Sequence, residues 1–153
     1  MATTSQVPWF VPVGNKVTMA LARAGVKLSG PGVFFGNYPM YLLTVRGRKS
    51  GQPRTVLIAA IQRDGKRYVS SPYGIVDWVR NLRVAGKAVL TRGRRSQRVR
   101  ASELSPSEAA LVLRDEAVAG NPFIRFFGVN AHSSLEEFER ATASHPLFLL
   151  EEE

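Results

Sequence analysis

The sequence predicts an α+β domain built around a small antiparallel β-barrel. Short β-rich runs follow one another closely and are separated by glycine turns, a few amphipathic helices lie among them, and 153 residues suffice for one hydrophobic core. The chain contains no internal repeat, low-complexity tract or linker. We therefore expect a single domain over residues 1–153, with an N-terminal helical segment over about residues 1–35 and the barrel with its packing helices over residues 40–150.

The elements follow in order along the chain. Apolar residues at helical spacing predict a helix from about Val13 to Lys27, which Gly30-Pro31-Gly32 ends. Three strands are then predicted over Met40 to Val45, Thr55 to Gln62 and Arg67 to Ser71. The last two are joined by Asp64-Gly65, a pair typical of a tight hairpin turn because both residues tolerate positive φ.

The second half of the chain alternates helices and strands. Asp77 is expected to cap a short helix that runs to about Ala85 and ends at Gly86. Strands are predicted from Ala88 to Thr91 and from Gln97 to Glu103, on either side of an arginine-rich turn at Gly93. Ser105-Pro106-Ser107-Glu108 and the pair Ser134 and Glu137 have capping-box spacing, and they predict helices to about Ala119 and Ala143. Pro146 to Leu150 is predicted as the last strand and Glu151 to Glu153 as a solvated tail.

Composition excludes several kinds of chemistry. The chain has no cysteine, which removes disulfides and thiolate chemistry, and its two histidines, His132 and His145, are too isolated to predict a metal site. We expect both histidines to cap a helix or pack in the core.

No apolar run approaches the roughly 18–20 residues that a membrane span needs. The N-terminus lacks the basic and apolar regions of a secretory signal, which predicts a cytoplasmic protein.

Charge is unevenly distributed along the chain. The net charge is +9, but residues 1–102 carry +16 and residues 103–153 carry −7. Such asymmetry indicates that one part of the surface meets an anion. The sharpest basic feature is Gly47-Arg48-Lys49-Ser50-Gly51-Gln52-Pro53-Arg54 between two predicted strands, where glycine turns, a hydroxyl and forked guanidinium groups suit phosphate or carboxylate. A solvated hairpin turn is the alternative, and the glycine spacing is not that of a P-loop.

A second feature is Ser70-Ser71-Pro72-Tyr73-Gly74, which leads into Asp77-Trp78-Val79-Arg80-Asn81-Leu82. A strand end, a glycine loop and a helix start place amide donors beside an aromatic wall. Ser71 and Tyr73 are interpreted as ligand contacts. For Trp78 and Leu82 we favour core packing, and Asn81 has the alternative role of packing the loop.

The segment from Thr44 to Thr55, together with Trp78, Asn81, Leu82, Gly86 and the closing His145-Pro146-Leu147-Phe148, resembles the deazaflavin-dependent nitroreductase and quinone reductase family of actinobacteria. The resemblance spans about Leu42 to Leu150. It implies a split β-barrel of the FMN-binding-like kind and an oxidoreductase that transfers a hydride from reduced coenzyme F-420 to an enone, quinone or nitro compound. That coenzyme carries a phosphodiester and an anionic oligoglutamate tail, and it is favoured over FMN.

The resemblance also implies roles for individual residues. Arg48, Lys49, Ser50 and Arg54, with Gly51 in the same turn, match positions that hold the phosphate and tail. Val56 and Leu57 match positions beside the deazaflavin ring, Ser70, Ser71, Tyr73 and Gly74 fall in the loop over it, and Trp78 and Asn81 match the motif on the next helix. Tyr73 is the proposed proton donor. No metal is implied.

Two clusters, one aromatic and one basic, have alternative interpretations. Phe123, Phe126 and Phe127, with Trp9 and Phe10, either line a pocket for a small hydrophobic acceptor or form core, and core is favoured. Arg92, Arg94, Arg95, Arg98 and Arg100 are interpreted as a solvated strand edge that resists pairing. They lack interleaved aromatics, which disfavours a nucleic-acid module.

A second hypothesis comes from a different functional class. The protein would be a non-catalytic binder of lipid or another hydrophobic ligand, because a branch of the same family binds lipid. Lys16, Arg23 and Lys27 with Trp9 and Phe10 would then contact the inner face of a membrane peripherally.

Overall fold

A computed structural model describes residues 38–153, and within them six antiparallel strands close a barrel. The strands are β1 (Met40–Arg46), β2 (Pro53–Arg63), β3 (Lys66–Ser70), β4 (Lys87–Arg92), β5 (Arg95–Glu103) and β6 (Leu147–Glu152). Their order around the barrel is β1-β2-β3-β6-β5-β4. The predicted α+β barrel is confirmed. The predicted helix from Val13 to Lys27 and the proposed membrane-contacting residues lie outside the described residues.

Alternation along the strands places the core inside the barrel. Tyr41, Leu43 and Val45 of β1 point inward with Ile58 and Ala60 of β2, as expected when successive side chains point to opposite faces. The hairpin predicted at Asp64-Gly65 is confirmed, since β2 and β3 pair directly on either side of it. Both turn residues have positive φ, 49° and 76°.

Three α-helices lie against the barrel: α1 (Asp77–Ala85), α2 (Pro106–Val118) and α3 (Leu135–Ser144). The prediction that Asp77 caps α1 is wrong, because the N-cap is Val76, whose side chain makes no capping hydrogen bond, and Asp77 already belongs to the first turn. An acidic residue in that turn still favours the helix through its dipole. Gly86 ends α1 in the left-handed conformation, with φ of 67°.

The two predicted capping motifs have different hydrogen-bond patterns. Ser134 and Glu137 form the complete capping box of α3, each side chain bonding the other residue's backbone amide. At α2 the Ser105 hydroxyl accepts from the Glu108 amide at 3.3 Å and donates to its carboxylate at 2.8 Å, so the acid contacts the hydroxyl and not the backbone. None of the helices in the part of the chain that the structure describes is long and apolar enough to cross a membrane.

A second apolar cluster lies outside the barrel and includes Leu113 of α2, Phe138 of α3 and Leu147 of β6. Sequence analysis did not predict the 3-10 helix Pro122–Phe127 that completes it. Asn121 begins this helix, because its side-chain oxygen accepts from the Phe123 amide at 2.9 Å. The helix brings phenylalanines to the barrel wall near the loop that follows β3.

The pairing of β6 shows that two predictions were wrong. Glu151 was expected in a solvated tail, but it pairs with Arg100, and Glu152 pairs with Val99. Consequently β5 has a partner on both sides, β4 and β6, and it is not a sheet edge. The arginines of the hairpin between β4 and β5 therefore do not serve to block strand pairing, although Arg94, Arg95, Arg98 and Arg100 are exposed as expected.

Candidate functional site

The basic turn between β1 and β2 is a tight loop closed by its own backbone. The Gly47 amide donates to the Gln52 carbonyl at 2.8 Å, and the Gly51 amide donates to the Gly47 carbonyl at 2.9 Å. A Cβ atom at Gly47 would lie 3.0 Å from the Ser50 hydroxyl and 3.1 Å from the Gln52 carbonyl, and Gly51 has a φ of 72°. Glycine is thus favoured at Gly47 by lack of space and at Gly51 by the positive φ.

Helix α1 holds the turn through Asn81. Its side-chain oxygen is buried and accepts from the Arg48 backbone amide at 3.1 Å and from the Arg48 guanidinium at 2.8 Å. The same guanidinium lies 3.3 Å from the Asp77 carboxylate. Arg48 is therefore directed toward α1, where it positions the turn.

Lys49, Ser50 and Arg54 are exposed on the turn, and Lys49 and Arg54 form no ion pair with other residues in the 38–153 range. They line a cavity of about 590 Å³, which we call the cationic cavity. Among the residues that the structure describes, the cavity is also lined by Gly47, Arg48, Pro53, Thr55, Val56, Asp77, Trp78 and Asn81. The Asp77 carboxylate already faces two arginines, so the cavity favours an anion.

A smaller apolar cavity of about 70 Å³ continues along the same strand. Its described walls are Tyr38, Met40, Leu57, Ile58, Ala59, Ile61, Ser70, Ser71, Pro72, Tyr73, Trp78, Asn121 and Phe123. Trp78 lines both cavities. Arg54 and Leu57 are three residues apart on β2, which corresponds to about 10 Å of extended strand. Because the two cavities share the Trp78 wall and are lined by successive residues of β2, we refer to them together as the groove, with the cationic cavity as its charged end and the apolar cavity as its apolar end.

The loop after β3 is held in place by His145. The buried Ser71 amide donates to the Pro146 carbonyl at 3.2 Å, its hydroxyl donates to the Gly74 carbonyl, and its own carbonyl lies 3.0 Å from His145 Nδ1. The His145 ring packs against Phe127 with 4.9 Å between centroids. Burial lowers the pKa of His145, and the hydrogen bond to Ser71 opposes this only in part. The ring is therefore neutral at pH 7 and donates to Ser71, which agrees with the expected packing and capping role.

Tyr73, on the same loop, also lines the apolar cavity. Phe126 packs edge-on against its ring, with 5.3 Å between centroids. Burial raises the pKa of Tyr73, and the nearby Arg125 guanidinium lowers it by less. The phenol thus keeps its proton well above neutral pH. Of the three predicted phenylalanines, Phe123 lines the cavity, Phe126 supports Tyr73, and Phe127 is buried in core.

A buried carboxylate, which was not predicted from the sequence, lies behind the apolar cavity. Glu116 is only 5% exposed; its oxygens accept from Tyr38 Oη at 2.9 Å, from Asn121 Nδ2 at 2.9 Å and from Arg63 at 3.3 Å. Burial and the hydrogen bond to Glu116 raise the pKa of Tyr38 to about 12. The signal was present in the sequence, because Glu116 falls on the same helical stripe as Ala109 and Leu113.

The groove brings together most of the thirteen residues for which the resemblance implied contacts. Seven line the cationic cavity: Arg48, Lys49, Ser50, Arg54, Val56, Trp78 and Asn81. Leu57, Ser70, Ser71 and Tyr73 line the apolar cavity with Trp78. Val56 and Leu57, although neighbours on β2, line different cavities. Gly51 lies on the other side of the turn, and Gly74 lines neither cavity but accepts the Ser71 hydroxyl.

Comparison with solved structures supports the fold. A structure described as a domain-swapped dimer is 18% identical, with 93% of this chain and 97% of that chain covered and a TM-score of 0.55. The protein Atu2129 from Agrobacterium tumefaciens, of unknown function, is 17% identical, with 99% and 59% covered and a TM-score of 0.55. HutZ, the heme storage protein from Vibrio cholerae, is 16% identical, with 74% and 81% covered and a TM-score of 0.51.

Comparison with protein families gives the identity that structural likeness alone does not. No curated protein matches the sequence. The model of the F420H(2)-dependent quinone reductase family matches residues 18–125, a span that includes the basic turn, the loop after β3 and Trp78. The chain therefore belongs to the F420H(2)-dependent quinone reductase family, as a reductase whose cofactor is the deazaflavin coenzyme F-420.

Proposed function

We propose that the protein reduces a small, hydrophobic, electron-poor acceptor, an enone, a quinone or a nitro compound, in the apolar end of the groove. The observation that carries this proposal is that a cavity favouring an anion and an apolar cavity share a wall at Trp78 and are both lined by β2. An amphipathic cofactor with an anionic end and a flat ring requires such a site. The apolar cavity alone is smaller than the roughly 300–1,000 Å³ usual for ligand sites, whereas the cationic cavity falls in that range.

The residues present fit the coenzyme. Lys49, Ser50 and Arg54 would bind the phosphodiester and the first part of the oligoglutamate tail, because they are exposed cations and a hydroxyl in a preformed turn. Leu57 and Trp78 would contact the ring. In this proposal Arg48 and Asn81 position the turn, since their polar groups already bond each other.

Bound reduced F-420 supplies the hydride, and the side chains orient the acceptor, exclude water and provide a proton. Tyr73 is the proposed donor because its phenol lines the apolar cavity and stays protonated at neutral pH. The aliphatic wall from Met40, Leu57 and Ile61 excludes water beside it. Phe126 fixes the ring of Tyr73 from behind.

Cofactor binding is tested by titrating the protein with oxidised F-420 and following the coenzyme's fluorescence. The Lys49→Ala, Arg54→Ala double variant is expected to raise Kd at least tenfold, because two charge-assisted contacts are lost. The matched control is Lys66→Ala, Arg94→Ala, which removes the same charges at exposed turns away from the groove. Equal losses in both variants would show that only the overall charge matters and would contradict the assignment of the turn.

Turnover is tested with reduced F-420 and three probes, a naphthoquinone, a cyclic enone and a nitroaromatic. Tyr73→Phe is expected to lower kcat about 100-fold for the preferred probe while Kd for F-420 stays unchanged, because the ring and its packing remain.

The apolar wall also suits the second hypothesis, a non-catalytic binder of hydrophobic ligands. Saturable binding of a fatty-acid probe, with none of the three acceptors reduced, would favour that hypothesis over the reductase.

A further inference from the structure

A second cationic cavity lies at the opposite end of the barrel from the basic turn. It has a volume of about 230 Å³ and is lined by Tyr41, Arg67, Leu90, Arg92, Arg95 and Gln97. These residues come from the start of β1, β3 and β5 and from the end of β4. Arg46, next to the basic turn, is five residues along β1 from Tyr41, a span of about 17 Å. None of the residues that line it also lines the cofactor groove.

Electrostatics at this end of the barrel favour an anion. The guanidinium groups of Arg67, Arg92 and Arg95 come from three strands, and no carboxylate is found among the described residues that line the cavity. Arg92 and Arg95 are directly opposite each other in the ladder between β4 and β5. Like charges at such positions destabilise a sheet, so a bound anion would relieve an existing repulsion.

Two of the three guanidinium groups, those of Arg67 and Arg92, are held in place before any ligand binds. The buried ring of Tyr41 has the Arg67 guanidinium 5.7 Å and the Arg92 guanidinium 5.8 Å from its centroid. Arg67 also donates to the Gln97 side-chain oxygen at 2.7 Å, and the Tyr41 hydroxyl accepts from Gln62 at 3.3 Å. Preorganised guanidinium forks lose little freedom when they bind, which favours affinity.

We propose that this cavity is a second anion site, which binds a small phosphate-bearing molecule independently of the cofactor groove. Guanidinium forks match the oxygens of a tetrahedral phosphate, and Tyr41 and Leu90 provide an apolar floor for the attached organic group. The concave shape and the volume of about 230 Å³ suit a compact ligand. An extended polynucleotide or a bilayer would instead contact exposed cations outside the cavity, such as Arg94.

The test uses pyrophosphate as the probe and amide chemical shifts as the readout. Because the basic turn also binds phosphate in the proposed function, the titration is made in the Lys49→Ala, Arg54→Ala variant. Saturable shifts are expected at Tyr41 and Gln97. If the shifts are confined to the residues around Gly51, or if none saturates at constant ionic strength, the second site does not exist. This readout does not depend on whether F-420 binds or turnover occurs.

Three further substitutions, made in that same variant, separate a specific site from a diffuse positive field. Arg95→Ala is expected to raise Kd for pyrophosphate about tenfold, because one charge-assisted contact is lost. The matched control Arg94→Ala removes an exposed neighbouring charge outside the cavity and is expected to change Kd less than twofold. Arg67→Ala repeats the test from a different strand, and urea unfolding checks that each variant is folded. Equal effects of Arg94 and Arg95, or saturation only by an oligonucleotide or by anionic vesicles, would overturn the proposal.

Discussion

Asn81 shows how one buried amide positions a loop that belongs to a different element. It lies on α1, and its oxygen accepts two hydrogen bonds from Arg48 in the turn between β1 and β2. Those two bonds orient Arg48 toward the helix and leave Lys49 and Arg54 facing the cationic cavity. The side chain that positions the site thus need not contact the cofactor.

Removing this acceptor tests the positioning role. Asn81→Ala is expected to lower the free energy of unfolding by about 1–3 kcal/mol, because buried donors lose their partner, and to weaken F-420 binding. Urea unfolding and the fluorescence titration measure the two effects. Asn81→Asp keeps the accepting oxygen and should restore binding, whereas Val84→Ala, exposed on the same helix and outside both cavities, should leave both unchanged. Intact affinity in Asn81→Ala would show that the turn holds its shape without α1.

His145 makes stability depend on pH in a definite direction. Its pKa is lowered by burial, so below about pH 6.5, the ordinary value for histidine, the unfolded chain binds a proton that the folded protein does not. Its contribution is complete above pH 6.5 and is lost as the pH falls toward the pKa of the folded state. The free energy of unfolding, measured by urea between pH 7.5 and 5, should decrease in wild type and decrease less in His145→Gln. His132→Gln is the control, and a profile unchanged by His145→Gln would contradict the assignment.

At the scale of elements, the hairpin turn at Gly65 serves as a control for the basic turn, because the glycines of the two turns have similar backbone conformations. Gly51 and Gly65 have nearly the same φ, 72° and 76°, and an added Cβ has room at both positions. Alanine at either position is expected to cost about 1 kcal/mol of stability, because L side chains disfavour positive φ. Only Gly51→Ala should weaken F-420 binding. Comparable loss of binding in Gly65→Ala, measured by the same titration, would mean that backbone strain anywhere loosens the groove.

The elements also show what the sequence could predict and why the rest was missed. Local signals such as Asp64-Gly65 and the Ser134–Glu137 box depend on neighbouring residues, and they predicted the hairpin and α3 correctly. The basic turn was found for the same reason. The pairing of Glu151 depends on a distant partner, Arg100 across β5, and no local pattern encodes such a contact. The 3-10 helix Pro122–Phe127 did have a local signal that was overlooked, Asn121 as the N-cap followed by Pro122.

For the whole molecule, the acidic C-terminal third partly neutralises the basic remainder. Glu103 pairs with Arg83 at 2.6 Å, Asp115 and Glu116 pair with Arg63, and Glu151 lies opposite Arg100. These contacts join residues that are far apart in the sequence and leave the cations of the turn available for an anion. The uneven charge noted in the sequence is thus partly internal to the fold.

Strand β6 completes the barrel between β3 and β5, and shortening it tests how much its C-terminal end contributes to stability. Deleting Glu151–Glu153 removes the end of the ladder with β5, including the Glu153 amide that donates to Arg98 at 3.1 Å. We expect a loss of about 1–2 kcal/mol in urea unfolding, since a few exposed hydrogen bonds disappear. Alanine at all three positions keeps the backbone and should cost less. No loss on deletion would restore the idea of a solvated tail.

The strand order has a kinetic consequence. The hairpins β1–β2, β2–β3 and β4–β5 join neighbours in sequence, but the barrel closes only when β4 meets β1 and β6 meets β3 across long stretches of chain. Such pairings form late in folding because loop-closure entropy opposes them. Until then β3 and β5 present open edges, so refolding yield should decrease as protein concentration rises. Light scattering during dilution from urea measures this competition between closure within one molecule and pairing between two.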